Sequence, residues 1–273
     1  MIDLGVISYG SGALLFLVLT LVLLSGQQGR THKNALKFAA VVSTLWLLFT
    51  CLSVFYEVAF YAYLLEPVRS FSLLLFLGYV LVSSITDRHL TQVRFRNSTL
   101  LAGGFTLLLV LLAVWRLVAG PEALVILNVN LLFAGLLVMS VAGLVLVEQI
   151  MRNAHVESRR AVKYLCIGLG VIFAYDFYLY SNALMFQGLD ITLWNIRGFV
   201  NAMAVPVLGV AIARDPRLSL NIFVSRRMVF HTTALLGTGL YLLAMGAGGY
   251  YIRTQGGEWG TVLQVMFLFA AGL

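Results

Sequence analysis

Ionisable residues inside apolar runs are the first candidates for chemistry in this sequence. Glu57, Asp176 and Arg197 each lie within or at the edge of a long hydrophobic segment. An unpaired charge is costly in apolar surroundings, so such residues commonly pair with each other or serve a function. We therefore expect an ion pair between Asp176 and Arg197, with the Arg197 side chain extending towards the nearby surface.

Further polar side chains crowd the sequence around Asp176, which reads FAYDFYLYSNALMF. One interpretation is an outward-opening, signal-sensing pocket lined by a polar cluster: Glu57, Tyr175, Asp176, Tyr180, Asn182, Arg197 and Asn201. The other interpretation is packing between helices through hydrogen bonds, together with an aromatic belt at a membrane surface. The sequence leaves both open.

The composition indicates the solvent in which these residues lie. Hydrophobic residues make up 61% of the chain and charged residues 11%, with a mean hydropathy of +0.96. A soluble domain is far less apolar. In a bilayer, only helices and closed barrels satisfy the backbone, and the uninterrupted Leu, Val and Phe runs favour helices. The sequence predicts an all-α membrane protein, a polytopic bundle.

Charged and turn residues divide the chain into about nine apolar segments. These are residues 7–25, 38–63, 69–86, 99–118, 125–150, 162–186, 195–213, 229–251 and 260 onward. A spanning helix needs roughly 20 residues, and the last segment has 14. We therefore expect the ninth helix to be truncated.

The distribution of Lys and Arg predicts the orientation. One set of alternate loops carries 14 of these residues, and the other set carries 4, which are Arg69, Arg116, Arg197 and Arg253. Because cytoplasmic loops are enriched in Lys and Arg, we expect the amino terminus outside and the carboxyl terminus in the cytoplasm. The formal charge of +7 then reflects topology, so the expected partner is the lipid bilayer and not a nucleic acid.

Several catalytic and cofactor classes are disfavoured. All four histidines lie in predicted inner loops or at an inner helix end, and neither HExxH nor GxSxG occurs. Haem and metal centres need ligands brought together at depth, and common membrane hydrolases need those motifs. We expect no catalytic residue, no metal and no bound cofactor in this chain.

Three stretches carry a family resemblance: KYLCIGLGVIFAYDFYLYSNALMF (163–186), RGFVNAMAVPVLGVAIARDPRLSLNIFVSRRMVFHTTALLG (197–237) and GYYIRTQGGEWGTVLQVMFLFAAGL (249–273). They resemble the amino-terminal membrane region of the PEP-CTERM-system sensor histidine kinases, the PrsK family. The resemblance implies that residues 1–273 form a transmembrane sensory domain in a bacterial inner membrane. GAF-like and histidine kinase domains would follow residue 273.

The same resemblance implies the partners and chemistry of a complete kinase. It implies a homodimer, ATP and Mg²⁺ bound by the kinase domain, and a cytoplasmic response regulator that controls exopolysaccharide and protein-sorting genes.

The alternative function is a transporter for a small-molecule or lipid-linked substrate. A transporter needs a polar path to both membrane faces, and the inner half offers few ionisable residues besides Glu148.

Overall fold

The computed structural model describes residues 4–25, 31–56, 60–84, 88–120, 124–126, 129–153 and 159–214. The helices are α1 (Leu4–Ser25), α2 (Thr31–Tyr56), α3 (Phe60–Ser84), α4 (Arg88–Ala119), α5 (Leu131–Asn153), α6 (Arg159–Met185) and α7 (Ile191–Arg214). Strands β1 (Val125–Ile126) and β2 (Val129–Asn130) form a small antiparallel hairpin between α4 and α5. The predicted eighth and ninth segments lie outside the described residues.

All seven helices are long and apolar enough to cross a membrane. A span of 21 residues, the shortest among them, rises about 31 Å, which matches a hydrocarbon core of roughly 30 Å. Apart from the two-residue strands β1 and β2, the helical prediction is therefore confirmed for the part of the chain that is described, and the seven helices fit a multi-pass membrane protein.

Several predicted helix boundaries were wrong, and α4 begins at Arg88 rather than at residue 99. The second segment was expected to run to residue 63 and the third to begin at residue 69, but α3 already begins at Phe60. Residues 125–130 were predicted to be helical, whereas α5 begins at Leu131. The side chain of Asn130 caps α5, because its Oδ1 accepts hydrogen bonds from the backbone N–H groups of Leu132 (3.1 Å) and Phe133 (3.4 Å).

Six of the helices close into a ring. In order around it, α1 packs on α2, α2 on α3, α3 on α5, α5 on α6, α6 on α7, and α7 back on α1. The remaining helix, α4, packs on the outside of the ring, mainly against α3. Its outer face is exposed and apolar, including Leu101, Leu107 and Val118, as expected for a helix in contact with lipid.

The ring closes at a tight crossing between α1 and α7. An added Cβ on Gly198 would lie 2.4 Å from the carbonyl carbon of Ser8, and one on Gly12 would lie 2.9 Å from the Gly198 carbonyl oxygen. The backbone N–H of Phe199 donates to the Ser8 hydroxyl over 2.9 Å. Because glycine lacks a Cβ, the two backbones can approach this closely.

Candidate functional site

Four charged side chains meet at the centre of the ring. Glu66 and Arg69 come from α3, Asp176 from α6 and Arg197 from α7, and we call these four residues the charge cluster. Their exposed fractions are between 0 and 2%. Two carboxylates face two guanidiniums, so the formal charges balance, which is the condition under which charges can be buried at membrane depth.

Arg197 makes the closest contacts in the cluster. Its Nε donates to Asp176 Oδ1 over 2.8 Å, and its Nη2 lies 2.7 Å from the same oxygen. Nη2 also pairs with Glu66 Oε1. The predicted ion pair between Asp176 and Arg197 is therefore confirmed. The expected extension of Arg197 to the surface was wrong: its side chain is fully buried, because both of its partners lie inside the ring.

Arg69 is held more loosely. Its Nη2 lies 3.4 Å from Asp176 Oδ2 and donates to Asn201 Oδ1 over 3.2 Å. Its Nη1 is 4.0 Å from Glu66 Oε1, at the limit of an ion pair. The Asn201 amide is oriented by its own bond to the Arg197 carbonyl oxygen, at 2.9 Å, so Asn201 links the two arginines.

Aromatic rings enclose the charges. The Arg69 guanidinium lies 4.2 Å from the centroid of the Trp46 ring, and the Arg197 guanidinium lies 4.8 Å from the same ring. Arg197 also faces Tyr180 and Trp194 at 5.4 and 5.3 Å. A ring face attracts a cation most strongly where water is excluded, so these contacts offset part of the desolvation cost of the two arginines.

Helical spacing explains why these residues meet. Glu66 and Arg69 are three residues apart on α3, whereas Asp176 and Tyr180 on α6 are four apart, as are Arg197 and Asn201 on α7. Residues at these spacings share one helix face. Each of the three helices therefore directs a pair of polar side chains to the centre of the ring, and the Tyr180 hydroxyl donates to Glu66 Oε1.

Two tyrosines hold the first turn of α7 in place. The Tyr9 hydroxyl donates to the Trp194 carbonyl oxygen over 2.6 Å, and the Tyr175 hydroxyl donates to the Leu193 carbonyl oxygen over 2.7 Å. At the start of the helix, Asp190 Oδ1 accepts from the Thr192 backbone N–H at 2.7 Å, which caps α7. These bonds fix the turn of α7 that directly precedes Arg197.

The predicted polar cluster is brought together only in part. Asp176, Tyr180, Arg197 and Asn201 lie in the charge cluster or contact it directly. The Tyr175 hydroxyl donates a hydrogen bond to the backbone of α7 next to the charge cluster. Asn182 is half-buried near the end of α6, where its carbonyl oxygen accepts from the Phe186 N–H. Glu57 lies outside the described residues. The four central side chains are buried rather than open to solvent.

Sequence reasoning missed three central residues. Arg69 was counted among outer-loop charges, and neither Glu66 nor Trp46 was considered. The missed signal was the Glu66–Arg69 spacing of three residues directly before a long apolar run. It was obscured by Pro67, which usually marks a helix boundary but here lies inside α3.

Several buried polar atoms of the site have no hydrogen-bond partner among the described residues. They are Trp46 Nε1, Glu66 Oε2, Arg69 Nε and Nη1, and Arg197 Nη1. Unsatisfied buried groups are costly and mark arrangements with an alternative pairing or an unfilled requirement. Within the described ranges, no three His, Cys, Asp or Glu side chains are placed to hold a metal ion.

Comparisons with known proteins identify no relative. No protein-family model, no curated protein and no solved structure matches this chain.

Proposed function

We propose that this chain is the membrane input domain of a two-component sensor histidine kinase, and that the charge cluster relays the signal between its helices. The observation that supports this most directly is the position of the cluster: side chains from α2, α3, α6 and α7 converge on one buried, charge-balanced site. A stimulus that alters this site changes the packing of several helices at once.

The sequence resemblance supplies the rest of the proposal. The domain would lie in a bacterial inner membrane, with its amino terminus outside, and would act within a homodimeric kinase. The ATP- and Mg²⁺-dependent kinase domain would phosphorylate a response regulator for exopolysaccharide and PEP-CTERM protein-sorting genes. This chain's own contribution is conformational: two packings of one bundle, unequally favoured by the stimulus, would bias the attached enzyme.

The test uses the product of the whole reading frame in lipid nanodiscs. Asp176→Asn and Arg197→Gln are introduced together, because removing both charges avoids leaving one buried and unpaired. We expect ATP-dependent autophosphorylation to change by roughly fivefold or more, the lower range of measured allosteric coupling. The control is Glu148→Gln, which breaks an exposed ion pair to Arg152 and should leave the rate unchanged.

Two results would contradict the proposal. One is a purified wild-type protein that does not autophosphorylate with ATP and Mg²⁺. The other is a double variant that folds normally and autophosphorylates at the wild-type rate. The same nanodisc preparation, moved to proteoliposomes, separates sensing from the transporter alternative, since flux of a labelled substrate would favour transport.

A further inference from the structure

The charge cluster can be paired in two ways. In the observed arrangement two contacts run from α3 to the opposite helices, beside the Asp176–Arg197 pair: Glu66 pairs with Arg197 of α7, and Arg69 pairs with Asp176 of α6. We call this the crossed pairing. In the local pairing, Glu66 would pair with Arg69 within α3, and Asp176 with Arg197 between α6 and α7.

The local pairing is already partly formed. Arg69 Nη1 lies 4.0 Å from Glu66 Oε1, and Asp176 Oδ1 already holds the Arg197 Nε at 2.8 Å. The atoms needed to complete the pair within α3 are Glu66 Oε2 and Arg69 Nε and Nη1. None of these three atoms has a hydrogen-bond partner among the described residues.

Neither pairing leaves a charge alone. Each carboxylate keeps at least one guanidinium in both, so exchange between them avoids the large cost of an unpaired buried charge. Trp46 lies against both guanidiniums and can face either arginine in both arrangements. The exchange brings together two side chains, Glu66 and Arg69, that already share one face of α3.

The two pairings differ in what they hold together. The backbone of α3 packs on α2, α4 and α5 and makes few close approaches to α6 or α7. Among the described residues, the polar links of α3 to these two helices end on Glu66 or Arg69, and they run to Asp176, Tyr180, Arg197 and Asn201. The Tyr63 ring of α3 also lies 5.7 Å from the Trp194 ring of α7. The crossed pairing therefore adds ion pairs between α3 and the opposite side of the ring, and the local pairing removes them.

We propose that the charge cluster is a two-state switch, in which exchange from crossed to local pairing frees α3 from α6 and α7. The switch would be the mechanism of the proposed sensing function. Its role in signalling rests on that proposed function, but its existence does not. The movement itself is a property of the bundle and can be measured without any kinase activity.

Spin labels report the movement. Nitroxides are attached to Leu64→Cys on α3 and Ile191→Cys on α7, after Cys51 and Cys166 are changed to Ser. Both positions lie at the ends of their helices nearest the cluster. The dipolar broadening of continuous-wave EPR spectra reports the separation of the two labels in the whole chain in nanodiscs.

Two α3 variants remove the crossed pairing in different ways. Glu66→Arg with Arg69→Glu keeps the local pair but opposes like charges across the ring. Glu66→Gln with Arg69→Gln removes both α3 charges and leaves the Asp176–Arg197 pair intact. We expect both to reduce the broadening and to lengthen the label separation by on the order of 1–5 Å, the scale of helix shifts in switching proteins.

Adding Asp176→Arg and Arg197→Asp to the swapped variant restores opposite charges across the ring, and should restore the wild-type spectrum. The exposed-pair variant Glu148→Gln should not alter it. Wild-type broadening in the Glu66→Gln, Arg69→Gln protein would overturn the switch. So would a variant with all four charges swapped that folds but whose two spin labels stay further apart than in the wild type. The glutamine variant decides the matter if the swapped one does not fold. Wild-type autophosphorylation in variants that show these spectral changes would contradict the proposed function alone.

Discussion

At the scale of single residues, the central question is what Asp176 contributes. Its carboxylate contacts both guanidiniums, at 2.7–2.8 Å for Arg197 and 3.4 Å for Arg69. Without it, Glu66 would remain the sole carboxylate among the four charged side chains of the cluster, facing two buried arginines. An uncompensated buried charge is one of the few causes of a large loss of stability from a single substitution.

We therefore expect Asp176→Asn to lower the free energy of unfolding by about 3–5 kcal/mol. The double variant Asp176→Asn, Arg197→Gln should lose less than Asp176→Asn alone, since no charge is left unpaired. Unfolding in mixed detergent micelles, followed by circular dichroism, measures both. Equal losses for the single and double variants would show that packing, and not charge balance, determines the stability of this site.

The exposed pair of Glu148 and Arg152 provides the residue-scale control. The Glu148 side chain is 60% exposed and the Arg152 side chain is 77% exposed. The two residues are four positions apart on α5. Solvent screens such pairs, which contribute about 1 kcal/mol or less. Glu148→Gln should accordingly unfold at nearly the wild-type midpoint, which separates the effect of burial from that of charge removal.

At the scale of helices, the crossing of α1 and α7 determines where Arg197 lies. Gly198 follows Arg197 directly, and its Cα faces the Ser8 backbone at a distance that leaves no room for a side chain. We expect Gly198→Ala to separate the two helices and to cost on the order of 1–3 kcal/mol, the usual range for overpacking.

The matched control for that substitution is Gly104→Ala on α4. A Cβ added there would meet no atom within 4 Å, and alanine in a helix interior is favoured over glycine by roughly 0.5–1 kcal/mol. The two changes are chemically identical, so we expect opposite shifts in thermal stability, measured by differential scanning fluorimetry. A loss at both positions would indicate that the α1–α7 approach is not the cause.

The helices also show what the sequence can and cannot predict. Long apolar runs predicted seven helices that the structure contains, because hydrophobic length alone decides whether a segment can span. Charge at a segment edge was a poor guide: Arg69 looked like a loop residue, yet its partners Asp176 and Asn201 are more than 100 positions away. Only the folded ring brings Arg69 into contact with these partners. The pair of Asp176 and Arg197 could be predicted because the two residues lie on neighbouring segments, whereas the pairing of the α3 residues could not.

At the scale of the whole molecule, the loop charges make a prediction about orientation. The C-terminal end of α5 and the N-terminal end of α6 are basic, with Arg152, Arg159 and Arg160, whereas the link between α6 and α7 contains no Lys or Arg. Because Lys and Arg are retained on the cytoplasmic side, the α6–α7 link should face outward. The N-terminal end of α3 and the N-terminal end of α7 would then lie on that same side.

Cysteine labelling tests this orientation. In a chain whose native cysteines, Cys51 and Cys166, are changed to Ser, Gly188→Cys places a thiol in the α6–α7 link and Asn153→Cys places one at the end of α5. Both positions are exposed. With a membrane-impermeant maleimide, we expect residue 188 to be labelled in spheroplasts, whose inner membrane is intact. Residue 153 should be labelled only after the spheroplasts are lysed. The reverse pattern would invert the topology and put the charge cluster nearer the cytoplasm, where a stimulus from outside could not reach it through the α6–α7 end of the ring.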